Sequence, residues 1–477
     1  MNLEPETSAT FDHFFYEERD CDALLRQMEA DFRMIWSAVT QQEHMGIKTD
    51  RVYNAPDIER VRSLDPIFFI NRNKQQQWNG YYNVIVNTHL MTENLYKAQL
   101  EKSRENFYLG QSYFMRGACY FWLARTWGDA VIVKSSMYTD RYAKSPASEV
   151  LDTAIANLQR AYQLLPNHQN LKDVNGNTLI SKQYGSKGSA AALLAHLYAW
   201  KGSIQDNDED LRTAIHWADR LIEPEYQDSV GVYALADNAE EVVQNVMSRN
   251  SNEGILEIEI NYSDASSWGY FFPGSYFISY PVLRNSGKGD ITSVTYGLRR
   301  ATVLDMYEEG DQRRESFFYA LDSTDMNSAD LAYLYKWREP RYETSVGWIT
   351  FTGMDCNRIL IRLADIYLLR AECEAKLGMT TQAENDLNAI RGRRGATLYP
   401  GGTNDNGGAD LQYSIFLERE RELLFEGHRY YDAIRNGYYG PHNPHPGVLP
   451  EAFDNLTAKE IQDGAIYLPI PETAFNN

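Results

Sequence analysis

Apolar residues recur at helical spacing along most of the chain. Between 22 and about 39, Leu24, Leu25, Met28, Phe32, Ile35 and Trp36 fall on one face of a helix. A polar stretch containing Pro56 and Pro66 follows and reads as a long loop, and a second helix is expected over 75–98. In a third, Tyr113, Gly117, Tyr120, Ala124 and Trp127 are spaced by 4, 3, 4 and 3, with Gly128-Asp129 as the stop. Further helices are expected at 147–165, 186–201 and 208–222. The run from Gly188 to Trp200 is rich in small residues, which let two helix axes approach closely, so it reads as a buried helix of a helix-pair array. His196 within it reads as a core or rim histidine.

One pattern points to the kind of array. Tetratricopeptide helices carry a small residue, apolar residues four and seven later, and often a proline beyond. Ala154, Leu158, Ala161 and Pro166 fit; Ala383, Leu387 and Ile390 fit too, with Gly395 in the proline's place. Stacked helical hairpins are therefore favoured over an α/β sheet. Between 225 and 354 the helical period fades into Gly, Ser, Asn and Pro. A strand is expected at 254–260, followed by an aromatic run from Tyr262 to Tyr280 whose glycines and serines preclude a single helical face. Long loops of this kind often carry function. Helices return at 356–378, at its hairpin partner 380–394, and at 411–436, which is densely charged. The expected fold is mostly α: tetratricopeptide-like hairpins at 20–224 and 355–477, with a loop-rich insertion of minor β content at 225–354, all within one domain spanning 1–477.

Composition narrows the chemistry. The chain has 477 residues and a net charge of −20, the opposite of a nucleic-acid-binding surface. Cys21, Cys119, Cys356 and Cys373 are too few and too scattered for a disulfide framework and form no CxxC pair. No run approaches the roughly 18 apolar residues of a membrane-spanning helix, and the acidic N-terminus is unlike a signal peptide. That leaves a cytosolic protein, or one whose export signal is absent from this chain. No nucleophile elbow, His-Glu-x-x-His pair or phosphate loop occurs. The run Asp206-Asn-Asp-Glu-Asp210 lacks the glycine and bidentate glutamate of a calcium loop and reads as a solvated turn. His442 and His445 lack a neighbouring carboxylate or thiol at ligand spacing. Glu418, Glu422 and Glu426 stand at i, i+4 and i+8 among arginines, a pattern that reads as a structural charge network and not as a glycosidase pair flanking a cleft. No cofactor, metal or catalytic set is expected.

Four blocks in order resemble one family. Arg116-Gly-Ala-Cys-Tyr-Phe-Trp-Leu-Ala-Arg-Thr-Trp-Gly-Asp-Ala-Val-Ile-Val133 is similar to the Arg-x-aromatic helix ending in Gly-Asp of the SusD/RagB outer-membrane nutrient-binding lipoproteins. Ile361-Arg-Leu-Ala-Asp-Ile-Tyr-Leu-Leu-Arg-Ala-Glu-Cys-Glu-Ala with Leu387-Asn-Ala-Ile-Arg391 resembles that family's late hairpin. Glu418-Arg-Glu-Arg-Glu-Leu-Leu-Phe-Glu-Gly-His-Arg-Tyr-Tyr-Asp432 and Leu468-Pro-Ile-Pro-Glu472 complete the set. The chain departs from the family in lacking the proline common after Gly-Asp, around Val131, and in having no lipobox at Cys21. The resemblance implies a SusD-like fold and a non-enzymatic, surface-exposed lipoprotein of the outer membrane of Bacteroidetes-type bacteria. It also implies an export signal and lipid anchor that this chain does not carry, and a SusC-type TonB-dependent transporter as partner. The expected cargo is a poly- or oligosaccharide, with peptide as the alternative. The competing readings are an all-helical glycoside hydrolase or lyase, and a cytosolic tetratricopeptide adaptor that binds a peptide.

A sugar offers an apolar C–H face and a rim of hydroxyls, so its binder needs exposed aromatics with polar neighbours. The loop aromatics Trp268, Tyr270, Phe271, Phe272 and Tyr276 are the densest candidates, with Trp268 foremost; Tyr335, Trp337 and Trp348 follow. The resemblance adds the early loop, where Asp50, Arg51, Asn71, Arg72 and Trp78 stand. Trp122, Trp127, Trp200 and Trp217 lie on helical faces and are assigned to packing.

Overall fold

A computed structural model describes residues 14–36, 52–53, 78–137, 142–260, 278, 280–283, 297–322, 330–345, 348–468 and 470. The first helix, α1 (Glu18–Ile35), starts four residues before the expected point, because the Asp20 carboxylate accepts the N–H groups of Tyr16 and Glu17 and caps its first turn. Cys21, Leu24, Leu25, Met28, Phe32 and Ile35 form its buried stripe. It packs on α2 (Trp78–Asn94), which packs on the 26-residue α3 (Lys102–Trp127), buried almost all round from Phe107 onward. A helix buried on every side must meet neighbours closely. At Gly117 a Cβ would lie 2.7 Å from Leu158 Cγ and 3.1 Å from the Ala154 carbonyl oxygen, so the absent side chain sets the approach of α4 (Ala147–Leu164).

The array continues through α5 (Lys187–Ile204) and α6 (Asp208–Ile222), each packed on its predecessor. Asn207 caps α6 by accepting the N–H groups of Glu209 and Asp210, so the acidic run from Asp206 is a helix start whose Asp208 and Glu209 are exposed. The next partner of α6 comes from far along the chain: α8 (Leu363–Lys376), which forms a hairpin with α9 (Thr380–Arg393). Ala154, Leu158 and Ala161, like Ala383, Leu387 and Ile390, are fully buried at these contacts.

Between α6 and α8 the chain leaves the array. Strand β2 (Gly254–Ile258) pairs antiparallel with β8 (Arg358–Arg362), which runs directly into α8. This pair closes the base of the insertion, so residues between it project from one place. Inside lie a short helix α7 (Arg300–Met306) and the two-stranded pairs β4 (Phe318–Tyr319) with β5 (Tyr333–Leu334) and β6 (Pro340–Ser345) with β7 (Trp348–Met354). Strand β1 (Val52–Tyr53) pairs with β3 (Gly297–Leu298). The insertion has its own core, including Val243, Val246, Ile278, Val282, Val303, Tyr307, Phe317 and Trp337.

Two expected helices differ. The segment 356–378 is strand up to Arg362, because Ile359 and Ile361 complete the ladder with β2 and Arg362 is drawn into buried carboxylates. The segment 411–436 is broken into α10 (Leu411–Glu422) and α11 (Arg429–Arg435). At the break Tyr307 donates to the Arg421 carbonyl, Lys336 to those of Glu422 and Leu424, and Arg362 to that of Glu422. Side chains from the insertion and β8 thus take acceptors that a continuing helix would have used. The chain then turns through Phe425 at φ 60° and Gly427 at φ 92°.

Candidate ligand-binding surface

The insertion is held to the helices by charge. Glu253, Asp311, Asp405, Glu418, Glu422 and Glu426 interlock with Arg313, Lys336, Arg362, Arg391, Arg394 and Arg421, so the network is balanced. Glu422 alone accepts from Arg313 at 3.1 Å, Arg362 at 2.8 Å and Arg394 at 2.9 Å, with all four side chains fully buried. Burial by itself would raise the Glu422 carboxyl; the three guanidinium groups overrule it and hold it well below the usual range. Burial pushes Lys336 down to about 8. Glu418 and Glu422 of α10 are buried acceptors within this network, and Glu418 also lines a small cavity of about 20 Å³ with Glu308, Asp311, Arg391 and Asp405. His196 is likewise a core histidine: its Nε2 lies 2.7 Å from Asp365 Oδ2 and both residues are buried.

On this base the insertion carries a tyrosine cluster. Ile278 bridges to Leu334, Val282 sits in the insertion core, and the Tyr342 hydroxyl donates to the Val282 carbonyl at 3.0 Å. Between these anchors, the Tyr280 ring meets Tyr319 edge-on at 5.7 Å and Tyr333 at 5.6 Å, and Tyr319 meets Tyr335 at 5.6 Å. Tyr280, Tyr319 and Tyr335 are half-buried, while Tyr333 is buried beneath them. The Arg338 guanidinium stacks 4.0 Å from the Tyr335 ring centre and donates to both oxygens of Glu240 at 2.6 and 3.0 Å. These bonds hold the Glu240 carboxyl below its ordinary value. Gln244 also donates to Glu240, and it lines an open polar cleft of about 540 Å³ together with Asp237, Glu241, Asn245, Arg249 and Asn252. Aromatic faces and a bank of amides and charges are thus joined by one chain of contacts.

Of the aromatics expected at a ligand, Tyr335 is in this cluster. Trp337 is not: it packs in the insertion core at 5% exposure. Trp78 is also core, edge-on to Trp127 at 5.4 Å, because it opens α2 facing α3. Neither indole presents a face to solvent, which corrects the expectation that they line the ligand surface. Trp348 lies in β7. Trp268, Tyr270, Phe271, Phe272, Tyr276, Asn71, Arg72, Asp50 and Arg51 lie outside the described residues. The packing tryptophans Trp122, Trp127 and Trp200 are buried, and Trp217 is half-buried against Tyr162. Sequence reasoning missed Tyr280, Tyr319, Arg338 and Glu240. Tyr280 closes the aromatic run and could have been included, whereas Tyr319 reaches the cluster only through the β4–β5 pairing. Among the described residues no group of three or more His, Cys, Asp or Glu side chains is arranged to hold a metal ion, and no helix is long and apolar enough to cross a membrane.

Known proteins share both halves of this architecture. A family model described as the SusD family matches residues 300–477, and one described as starch-binding associating with outer membrane matches residues 22–198. The chain is 26% identical over 436 residues to SusD-like protein P2 of Formosa agariphila, covering 84% of this chain and 78% of the relative. Its fold is similar to that of a SusD homologue from Bacteroides thetaiotaomicron, with a TM-score of 0.76, 22% identity, and 97% and 96% of the two chains covered. It is also similar to a SusD-like carbohydrate binding protein from Bacteroides vulgatus, with a TM-score of 0.65, 20% identity, and 88% and 84% covered.

Proposed function

We propose that this chain, a SusD homologue, captures glycan at the cell surface and passes it, without turnover, to a SusC-type TonB-dependent transporter. The family descriptions, starch-binding and associated with the outer membrane, support the cargo class and the location. So does the carbohydrate binding protein from Bacteroides vulgatus with which it shares a fold. The observation that carries the reading is the tyrosine cluster. Tyr280, Tyr319 and Tyr335 stand half-buried on a rigid base, with Arg338 stacked on one ring and a polar cleft joined to it. Such a surface offers aromatic faces to sugar C–H groups and donors and acceptors to hydroxyls. The insertion at 225–354 is then the ligand-binding part, and Trp268, Tyr270, Phe271, Phe272 and Tyr276, which precede Ile278 in sequence, are proposed to contact the ligand as well. The transporter partner and the lipid anchor follow from the family resemblance.

The test is affinity electrophoresis against a panel of polysaccharides, with a reducing-end assay on each mixture. Retardation without new reducing ends is expected, and Tyr280→Ala, Tyr335→Ala and Trp268→Ala should each weaken it at unchanged far-UV circular dichroism. New reducing ends would make the protein an enzyme. Retardation that survives all three substitutions would move the site elsewhere, and no retardation by any polysaccharide would turn the reading to short oligosaccharide or peptide.

A further inference from the structure

Where α3, α5, β8 and the turn before α11 meet, the structure forms a small, partly open chamber of about 40 Å³. It lies apart from the tyrosine cluster and is lined by Trp36, Tyr81, Arg125, His196, Arg358 and His428, among others. Its wall is rich in donors. Arg125 Nε has no hydrogen-bond partner, and the guanidinium contacts ring faces instead: Tyr431 at 3.7 Å, Phe121 at 4.9 Å and Trp122 at 5.8 Å. Among the described residues no carboxylate pairs with Arg125. The Trp36 indole N–H is also buried without a partner.

The carboxylates nearby are committed elsewhere, including Asp432, whose charge reaches Arg125 but which lies 2.9 Å from Arg419 and 2.7 Å from Arg435. Glu426 gives both oxygens to Lys336 and Arg362. Asp365 is taken by His196 and Arg419 at 2.7 Å each, leaving His428 3.9 Å away. Burial lowers Arg125 from its ordinary value and pushes His428 down to about 4, so the histidine is neutral at pH 7 and cannot share a charge.

Guanidinium and indole groups can only donate, and Arg125 is half-buried with no carboxylate paired to it among the described residues, so the wall calls for an acceptor that carries negative charge. We infer that the chamber binds one small monovalent anion, a halide or a formate-sized carboxylate, held by the Arg125 guanidinium and the Trp36 Nε1–H. Its size agrees: a water needs about 10–15 Å³ of such space, so the chamber accommodates an ion with a water or two and excludes a sugar ring. The anion would serve as a structural counter-ion where α3 meets the Tyr431 segment, independently of glycan capture.

Two measurements test this on the full chain. A crystal grown in sodium bromide should give an anomalous peak at hydrogen-bond distance from the Arg125 guanidinium. Thermal melts in chloride should rise saturably, by about 2–4 °C, over melts in gluconate of equal ionic strength. Arg125→Met should abolish that difference. If the variant does not fold, the bromide map of the unaltered protein decides alone. A chamber holding only waters in that map overturns the inference, as do chloride and gluconate melts that coincide.

Discussion

Replacing Glu422 by Gln probes the junction between the insertion and the helices at its centre. The change keeps side-chain volume, so no cavity term enters, but it removes one negative charge from a set in which six carboxylates faced six cations. Arg313, Arg362 and Arg394 each lose a charged acceptor at 2.8–3.1 Å, and the amide nitrogen, standing in place of one carboxylate oxygen, turns N–H donors towards two of the three. All three guanidinium groups stay fully buried. Breaking a buried ion pair from one side costs about 3–5 kcal/mol, and that is the loss expected here from the urea midpoint followed by far-UV circular dichroism. The side chain of Glu209 is 80% exposed, 3.8 Å from Arg212; its replacement by Gln is the control and should stay within about 0.5 kcal/mol. The sign with pH is fixed as well. The folded Glu422 carboxyl is held well below its ordinary 4.5, so its contribution is full above that value and fades as pH falls through the folded one. The gap between wild type and variant should therefore narrow in acid. Pairing Glu422→Gln with Arg394→Met restores charge balance and should recover part of the loss. A loss under about 1 kcal/mol for the single variant, or a gap that is constant with pH, would refute the view of Glu422 as the hub.

Glu374 is pushed up to about 8, first by burial and then by the charge of Asp386, although Arg370 works against both. The folded state therefore keeps a proton that the unfolded chain gives up near 4.5, and stability should drop as pH rises from 4.5 towards 8; Glu374→Gln should flatten that drop in thermal melts. Gly117→Val drives carbon into Leu158 and the Ala154 carbonyl and should cost about 1–3 kcal/mol. By contrast Gly392→Ala, on an exposed face of α9 with nothing nearer than Leu398 at 3.9 Å, should stabilise by about 0.4–1 kcal/mol; equal effects at the two sites would contradict the packing.

The helical array was legible because its signal is local. A helix such as α6, expected at 208–222 and found over Asp208–Ile222, announces itself through residues three and four apart. The errors came where a partner distant in sequence decides. Nothing between 356 and 362 reveals that Gly254–Ile258 will pair with it, and nothing after Glu422 reveals that Lys336 and Tyr307 will take the carbonyls of the next turn. The same limit governs the aromatics. Trp337 and Tyr335 are two residues apart, yet one is core and the other half-exposed under Arg338, because β5 ends just before them and the insertion closes around one indole.

That limit also says why charge, and not apolar surface alone, joins the two parts. The arginines that clasp the insertion come from both sides: Arg313 from within it, and Arg362, Arg391, Arg394 and Arg421 from β8 and the helices. Their carboxylates also come from both sides, with Glu253 and Asp311 before β8 and Asp405, Glu418, Glu422 and Glu426 after it. Each buried charge tolerates one geometry, since a slipped register would strand it unpaired at a cost of several kcal/mol. An apolar interface of the same size would accept such slips more readily. The clasp therefore fixes where β4, β5 and the segment at Tyr280 emerge, while the tyrosine rings beyond it contribute no charge to the network. Substitutions on that outer surface can change what is bound without disturbing how the insertion is held.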